Sequence, residues 1–229
     1  MNILALDTSG KSCSVALAYD GKINQTLDLV ERQQSKYVLL RIQELLQEAD
    51  IGLHQLSAIA FSKGPGSFTG IRLAASLVQG LAFGASLSVI PISTLQAMAQ
   101  EAYQRTHVKQ VAVATNAYGG KIYWGIYKAS IAGLMQPVFP DVICFPETAS
   151  LPDTDNSKWI GTGDAWTVYP DLLRLTTLIV EPTYPQAKNI ARLASTIDAA
   201  EQIHAPEQVL PIYLYGAEYW NKASKSRCP

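Results

Sequence analysis

Short apolar runs and alternating segments follow one another from the first residues. Asn2-Ile3-Leu4-Ala5-Leu6 predicts a buried strand that ends at Asp7-Thr8-Ser9-Gly10. Cys13 to Ala18 alternates as a second strand, Asp20-Gly21 is a hairpin turn, and Lys22 to Leu29 makes a third strand. Ser35 to Asp50 predicts a helix. At about 100° per residue, Val38, Leu39, Ile42, Leu45, Leu46 and Ala49 share a face roughly 120° wide. Arg41, Gln43, Glu44, Gln47 and Glu48 cover the rest, and Tyr37 and Leu40 lie off the apolar stripe. Gly52 ends the helix.

Leu56 to Ser62 predicts another buried strand, and Lys63-Gly64-Pro65-Gly66-Ser67-Phe68-Thr69-Gly70-Ile71-Arg72-Leu73 follows it. Glycine lets the backbone bend there and approach other groups closely. Pro65 fixes its own φ and moves Gly64 away from the helical region. Ser67 or Thr69 can cap the helix that runs to Phe83. That helix is apolar nearly all round, with Arg72, Ser76 and Gln79 in one sector, so it is covered on more than one side. Small residues, Ala74, Ala75 and Ala82 among them, permit close approach of a neighbour. With Tyr37 and Leu40 outside the first helix's core stripe, the two helices form a candidate partner interface of Tyr37, Leu40, Ile71, Ala74, Ala75, Val78 and Ala82. Complete coverage of each helix by the other inside the monomer is the competing expectation.

The glycine loop has the look of a phosphate cradle at a helix N-terminus. Its spacing fits neither a dinucleotide fingerprint, since the third glycine comes one residue late, nor a Walker A loop, since Ile71-Arg72 stands where Lys-Ser/Thr is needed. A tight turn without ligand explains it equally. The same two readings apply to the first turn beside the Asp7 carboxylate: either Thr8, Ser9 and backbone amides hold phosphate, or Asp7 and Ser9 satisfy the turn's own backbone.

Leu87 to Ile90 predicts a strand, and Ser93-Thr94-Leu95-Gln96 opens a helix through Tyr103. The chain turns polar at Thr106 to Lys109, so halves at 1–105 and 106–229 are expected. The second begins with paired strands, Gln110 to Thr115 and Ile122 to Tyr127, joined by Asn116-Ala117-Tyr118-Gly119-Gly120-Lys121. This repeats the opening of the first half and hints at a duplicated architecture. Trp159 to Asp164 is a strand with a glycine turn, Pro185 to about Ile203 a helix, and the tail from 205 is expected to pack back on the body.

Composition narrows the chemistry. Of 229 residues 48% are hydrophobic and 16% charged, which suits a soluble globular protein, and a net charge of −1 gives no general pull on nucleic acid or anionic membrane. Lys222, Lys225 and Arg227 read as a solvated tail. Cys13, Cys144 and Cys228 form no C-x-x-C pair, which argues against a disulfide framework or a cysteine zinc site and suits a reducing cytoplasm. His54, His107 and His204 are scattered and form no H-x-x-x-H pair. Neither a signal peptide nor an uninterrupted apolar run of about 18 residues is visible.

The Asp-Thr-Ser hairpin, the KGPGSFTGIRL loop, the Tyr-Trp strand after Asn116, IGTG, and the closing PIYLY with Trp220 together resemble the bacterial TsaB (YeaZ) family over nearly the whole chain. The resemblance implies the actin/Hsp70/sugar-kinase (ASKHA) α/β fold, with two related halves of mixed sheet and helices. It implies a non-catalytic partner of TsaD in making threonylcarbamoyladenosine beside the tRNA anticodon, joined by the ATPase TsaE. Further implications are a homodimer when alone, contact with tRNA through the complex, and at most weak ATP or ADP binding there. Asp7, Thr8, Ser9, Gly64, Gly66 and Ser67 would then be a vestigial phosphate site. TsaD carries paired metal-binding histidines on its first long helix, whereas Gln33 to Leu40 here contains no histidine. Asn116-Ala117-Tyr118, Lys121 and Tyr215 depart from the family pattern, which usually has Asp-Ala-Arg, an acidic residue and an arginine at these places. An active ATPase or phosphotransferase of the same fold is the alternative. A peptidase lacks any readable Ser/His/Asp set or H-E-x-x-H motif.

Overall fold

The computed structural model describes residues 1–30, 33–152, 158–176, 178–181, 184–198, 202, 205–210 and 214. The opening alternation becomes an antiparallel meander of β1 (Ile3–Asp7), β2 (Ser12–Tyr19) and β3 (Lys22–Leu29). Asp20 and Gly21 both have positive φ, 49° and 71°, which suits a tight hairpin. β4 (Ala58–Ser62) then joins β1 in parallel and β5 (Ser88–Ile92) joins β4, giving the order β3-β2-β1-β4-β5.

The two faces of this sheet differ in side-chain size, and that decides what covers each. Leu4, Leu6, Val15, Leu17, Ile59 and Phe61 form one core with α1 (Gln34–Glu48) and α2 (Phe68–Ala85). The alternate positions Ala5, Ala16 and Ala60 point the other way. Small side chains let α5 (Ala187–Ala194) lie close on that face, where the Ala187 amide donates to Ser14 Oγ at 3.0 Å. The Lys188 amide donates to Gln25 Oε1 at 3.0 Å, so both strand side chains serve the helix's first turn. α5 is shorter than the expected helix from Pro185 to about Ile203.

α3 (Thr94–Thr106) follows β5, and Ser93 Oγ accepts the amides of Leu95 and Gln96 at 3.1 and 3.3 Å. The second sheet has β6 (Gln110–Asn116), β7 (Ile122–Ala129), β8 (Met135–Pro137), β10 (Trp159–Thr162) and β11 (Leu178–Ile179) in the order β11-β10-β6-β7-β8, with β9 (Val142–Cys144) on β7. Its core gathers Ile122, Trp124, Ile126, Trp159, Leu172 and Trp166 of α4 (Ala165–Val168).

The chain forms two compact units. One is Met1–Ala97 together with Tyr184–Ile212, the other Met98–Thr183 together with Tyr213–Pro229. Within the first unit Val209 is fully buried in the core shared by α1 and α2, and Gln79 Nε2 donates to the Val209 carbonyl at 2.9 Å. Such mixed sheets with helices, twice over, are the actin/Hsp70/sugar-kinase-like fold.

Leu39, placed by periodicity in the core face of α1, is 51% exposed. The buried stripe is centred on Val38, Ile42 and Leu45, and Leu39 stands about 100° round the helix from Val38. Cys13 is a free, buried thiol, while Cys144 is disulfide-bonded, which the cysteine spacing did not lead one to expect. Among the described residues α2 is the helix with the length and apolarity of a membrane span, yet its buried stripe lies in the core of the first unit. Tyr215, Trp220, His204, Cys228 and the basic residues Lys222, Lys225 and Arg227 lie outside the described residues.

Candidate functional site

Asp7, Thr8, Ser9, Gly66 and Ser67 of the candidate phosphate site come together where β1 ends, while Gly64, in the same loop, bonds to Thr94. Asp7 closes β1, Thr8 and Ser9 turn the chain, and the loop between β4 and α2 lies directly on that turn. The Ser67 amide donates to the Ser9 carbonyl at 2.7 Å, and Thr8 Oγ1 donates to the Gly70 carbonyl at 2.7 Å. Ser67 is the N-cap of α2, its hydroxyl accepting the Gly70 amide at 3.4 Å. Gly64 has φ of 110°, and its carbonyl accepts the Thr94 amide at 3.0 Å.

The glycines answer to this contact. A Cβ on Gly66 would stand 2.6 Å from the Ser9 carbonyl oxygen, and one on Gly70 only 1.9 Å from that of Thr8. Two stretches of backbone therefore touch with nothing between them, which only residues without a side chain allow.

Asp7 is wholly buried, and its carboxylate accepts from the Ser9 amide at 3.2 Å and the Ser9 hydroxyl at 2.7 Å. Burial pushes its pKa up to about 6, against the pull of the Ser62 and Ser9 hydroxyls and the Ser9 amide. Each hydroxyl offered as a phosphate ligand is engaged with the chain itself: Thr8 with Gly70, Ser9 with Asp7, Ser67 with the helix amide.

The candidate interface divides. Ile71, Ala74, Ala75, Val78 and Ala82 are at most 4% exposed and form the core stripe of α2, so their expected place on a partner surface is corrected. They recur at helical spacing, and that stripe is the one the sheet takes. Tyr37 is half-buried against the same core, while Leu40 is 47% exposed. Besides Leu40, the outward surface is made by residues not expected there: Leu39 on α1, and Phe68, Gly80, Phe83 and Gly84 on α2. Phe83 is 79% exposed, and the Arg72 guanidinium lies 3.7 Å above the Phe68 ring. Nothing lies within 4 Å of a Cβ on Gly80 or Gly84, which with Leu53, His54, Leu81 and Ala85 line a depression of about 420 Å³. The glycine pair one turn apart beside an exposed phenylalanine was the available signal.

In the second unit the Asn116 amide donates to Asp164 Oδ1 at 2.8 Å. Gly163 has φ of 109°, and its Cβ would stand 2.1 Å from the Ala114 carbonyl oxygen, so a glycine loop again lies on the end of a hairpin strand. Tyr118 is exposed, and the Lys121 ammonium sits 5.2 Å from the Phe145 ring centroid. Among the described residues, no group of three or more His, Cys, Asp or Glu side chains could hold a metal ion.

A family model described as TsaD, tRNA N6-adenosine threonylcarbamoyltransferase, matches residues 28–156. The chain is 33% identical to the tRNA threonylcarbamoyladenosine biosynthesis protein TsaB of Escherichia coli (strain K12), covering 97% of this chain and 98% of that one. A solved structure of YeaZ from Pseudomonas aeruginosa is similar with a TM-score of 0.87 and 34% identity, over 93% of this chain and 99% of that chain. Likeness to the tRNA N6-adenosine threonylcarbamoyltransferase of Chlorobium limicola is confined to 42% of this chain and 32% of that enzyme, at 24% identity.

Proposed function

The chain belongs to the TsaB (YeaZ) family of tRNA threonylcarbamoyladenosine biosynthesis proteins, and from that premise we propose that it is the non-catalytic partner of the transferase TsaD. The observation that carries this reading is the apolar outer surface of the first unit. Leu39, Leu40, Phe68 and Phe83 stand exposed on two helices whose inner stripes already fill the core. A helix pair on the transferase closing over them would bury these side chains and approach closely at Gly80 and Gly84.

Non-catalysis has separate support. The helix that carries paired histidines in TsaD has none here. In the first turn Thr8, Ser9 and Ser67 use their hydroxyls within the chain, so a phosphate would have to displace intramolecular bonds. On this reading ATP or ADP binds weakly and only in the complex, TsaE joins the assembled pair, and tRNA is met through the complex in the cytoplasm. Without TsaD the same surface pairs two copies of this chain.

The test mixes the purified chain with TsaD and follows assembly by size-exclusion chromatography with light scattering. A stable complex is expected, with no threonylcarbamoyl transfer and negligible ATP hydrolysis by this chain alone. Failure to assemble overturns the partner reading. Steady ATP turnover that disappears in Asp7→Ala replaces it with an active ATPase or phosphotransferase.

A further inference from the structure

The turn at the end of β1 and the start of α2 are joined through a relay that begins at a buried carboxylate. Asp7 accepts both the amide and the hydroxyl of Ser9, at 3.2 and 2.7 Å. The carbonyl of that same Ser9 accepts the amide of Ser67, the N-cap of α2, at 2.7 Å. Thr8, held between Asp7 and Ser9, donates to Gly70 in the first turn of the helix. Gly66 and Gly70 have no side chain to cushion the contact, so a shift of Ser9 cannot be absorbed before it reaches the helix.

We propose that Asp7 is a positioning residue for α2: its carboxylate fixes Ser9, Ser9 fixes the helix N-terminus, and a change of charge on the carboxylate moves the outer face of the helix. Placing a proton on Oδ2 removes the acceptor that the Ser9 hydroxyl uses. The hydroxyl must then turn and accept from the new O–H, so a charge-assisted bond becomes a neutral one, longer and roughly half as strong, and the hold on the turn under α2 loosens. The change falls in an accessible range, because burial pushes the Asp7 carboxyl up to about pH 6.

β2, β4, the start of α2 and α5 pack round Asp7, and α5, lying on this face of β1, brings the buried Asn189 and the half-buried cations Lys188 and Arg192. β2 presents Ser14 opposite it in register and Cys13 beside that, and burial, with the Asp28 and Asp7 carboxylates, pushes the Cys13 thiol up to about 12. β4 presents Ser62, and the loop and first turn of α2 present Gly66, Ser67 and Gly70. The consequence for partner binding rests on the proposed docking surface; the coupling of Asp7 to α2 does not.

The experiment labels the full chain with 4-fluorophenylalanine and follows the Phe68 resonance, assigned with Phe68→Leu, by fluorine NMR between pH 5 and 8. A titration with its midpoint near pH 6 in the wild type, absent in Asp7→Asn, is expected. A resonance that does not move, or moves identically in Asp7→Asn, overturns the proposal. Affinity for TsaD measured over the same range should change several-fold in the wild type and stay level in Asp7→Asn; equal profiles would overturn the extension to binding. Leu40→Glu is the control on the surface. If it binds TsaD like the wild type, the docking reading falls, and the fluorine titration alone decides the coupling.

Discussion

Thr8 and Gly70, 62 positions apart in sequence, are bonded side chain to backbone at 2.7 Å, and the Thr8 carbonyl occupies the place a Gly70 side chain would need. Gly70→Ala should therefore destabilise the protein by about 3 kcal/mol or more, because backbone on both sides must move. Gly80→Ala is the opposite case. Its Cβ meets nothing, and alanine favours the helix by about 0.5–1 kcal/mol, so this variant should melt slightly higher. Urea denaturation of the pair gives both signs in one comparison.

Asp7 costs the fold stability at neutral pH. Its carboxyl is raised from 3.8 to about 6 on folding, so the native state holds the proton more tightly than the unfolded chain. The contribution is full below about pH 4 and is lost as pH rises through about 6. At about 1.4 kcal/mol per unit, Asp7→Asn should gain up to about 3 kcal/mol at pH 7.5 and nothing near pH 4. The difference between wild-type and variant urea midpoints across that range checks the sign.

Charge on the outer face of α1 or α2 should weaken partner binding and leave folding alone. Leu40→Glu and Phe83→Glu remove exposed apolar side chains, so their melting temperatures should match the wild type while assembly with TsaD falls. Ala74→Leu should behave in reverse. Its site is fully buried, and overpacking there costs about 1–3 kcal/mol of stability. Melting curves and size-exclusion profiles of the three variants separate the two classes.

Gly163→Ala repeats the glycine test in the second unit. Its φ of 109° is strained for any other residue, and the Cβ would stand 2.1 Å from the Ala114 carbonyl. Loss of about 3 kcal/mol or more is expected. Melting followed through tryptophan fluorescence reports it, since Trp124, Trp159 and Trp166 share that unit's core.

Much of the fold was legible because its signals are local. Alternation marked β1 and β2, Asp20-Gly21 marked their hairpin partner, and Ser67 and Ser93 marked two helix starts. The candidate phosphate residues were legible as a group, since glycine spacing survives whatever the loop contacts. What the loop contacts was not, because a backbone touching the Thr8 and Ser9 carbonyls and a backbone touching phosphate need the same glycines. The interface misled for a similar reason. On α2, apolar all round, composition cannot say which stripe the sheet claims, and the regular one, Ile71 to Ala82, went inside. Phe83 and Leu39 were left out, a placement fixed only by the other side of the contact.

The return of α5 and Val209 to the first unit sets the timetable of synthesis. Ala5, Ala16 and Ala60 leave the ribosome well before the helix that covers them, and the core beneath α2 waits until Val209 has been made. A nascent chain stalled after residue 97 would carry the strands of the first sheet but none of the segment that seals its small-residue face. Such a chain should be held by chaperones or cleaved by proteases, while one released after 210 has what it needs to close. Expression of Met1–Ala97 alone is for the same reason a poor route to this unit, and joining its two segments through a short linker is the better one.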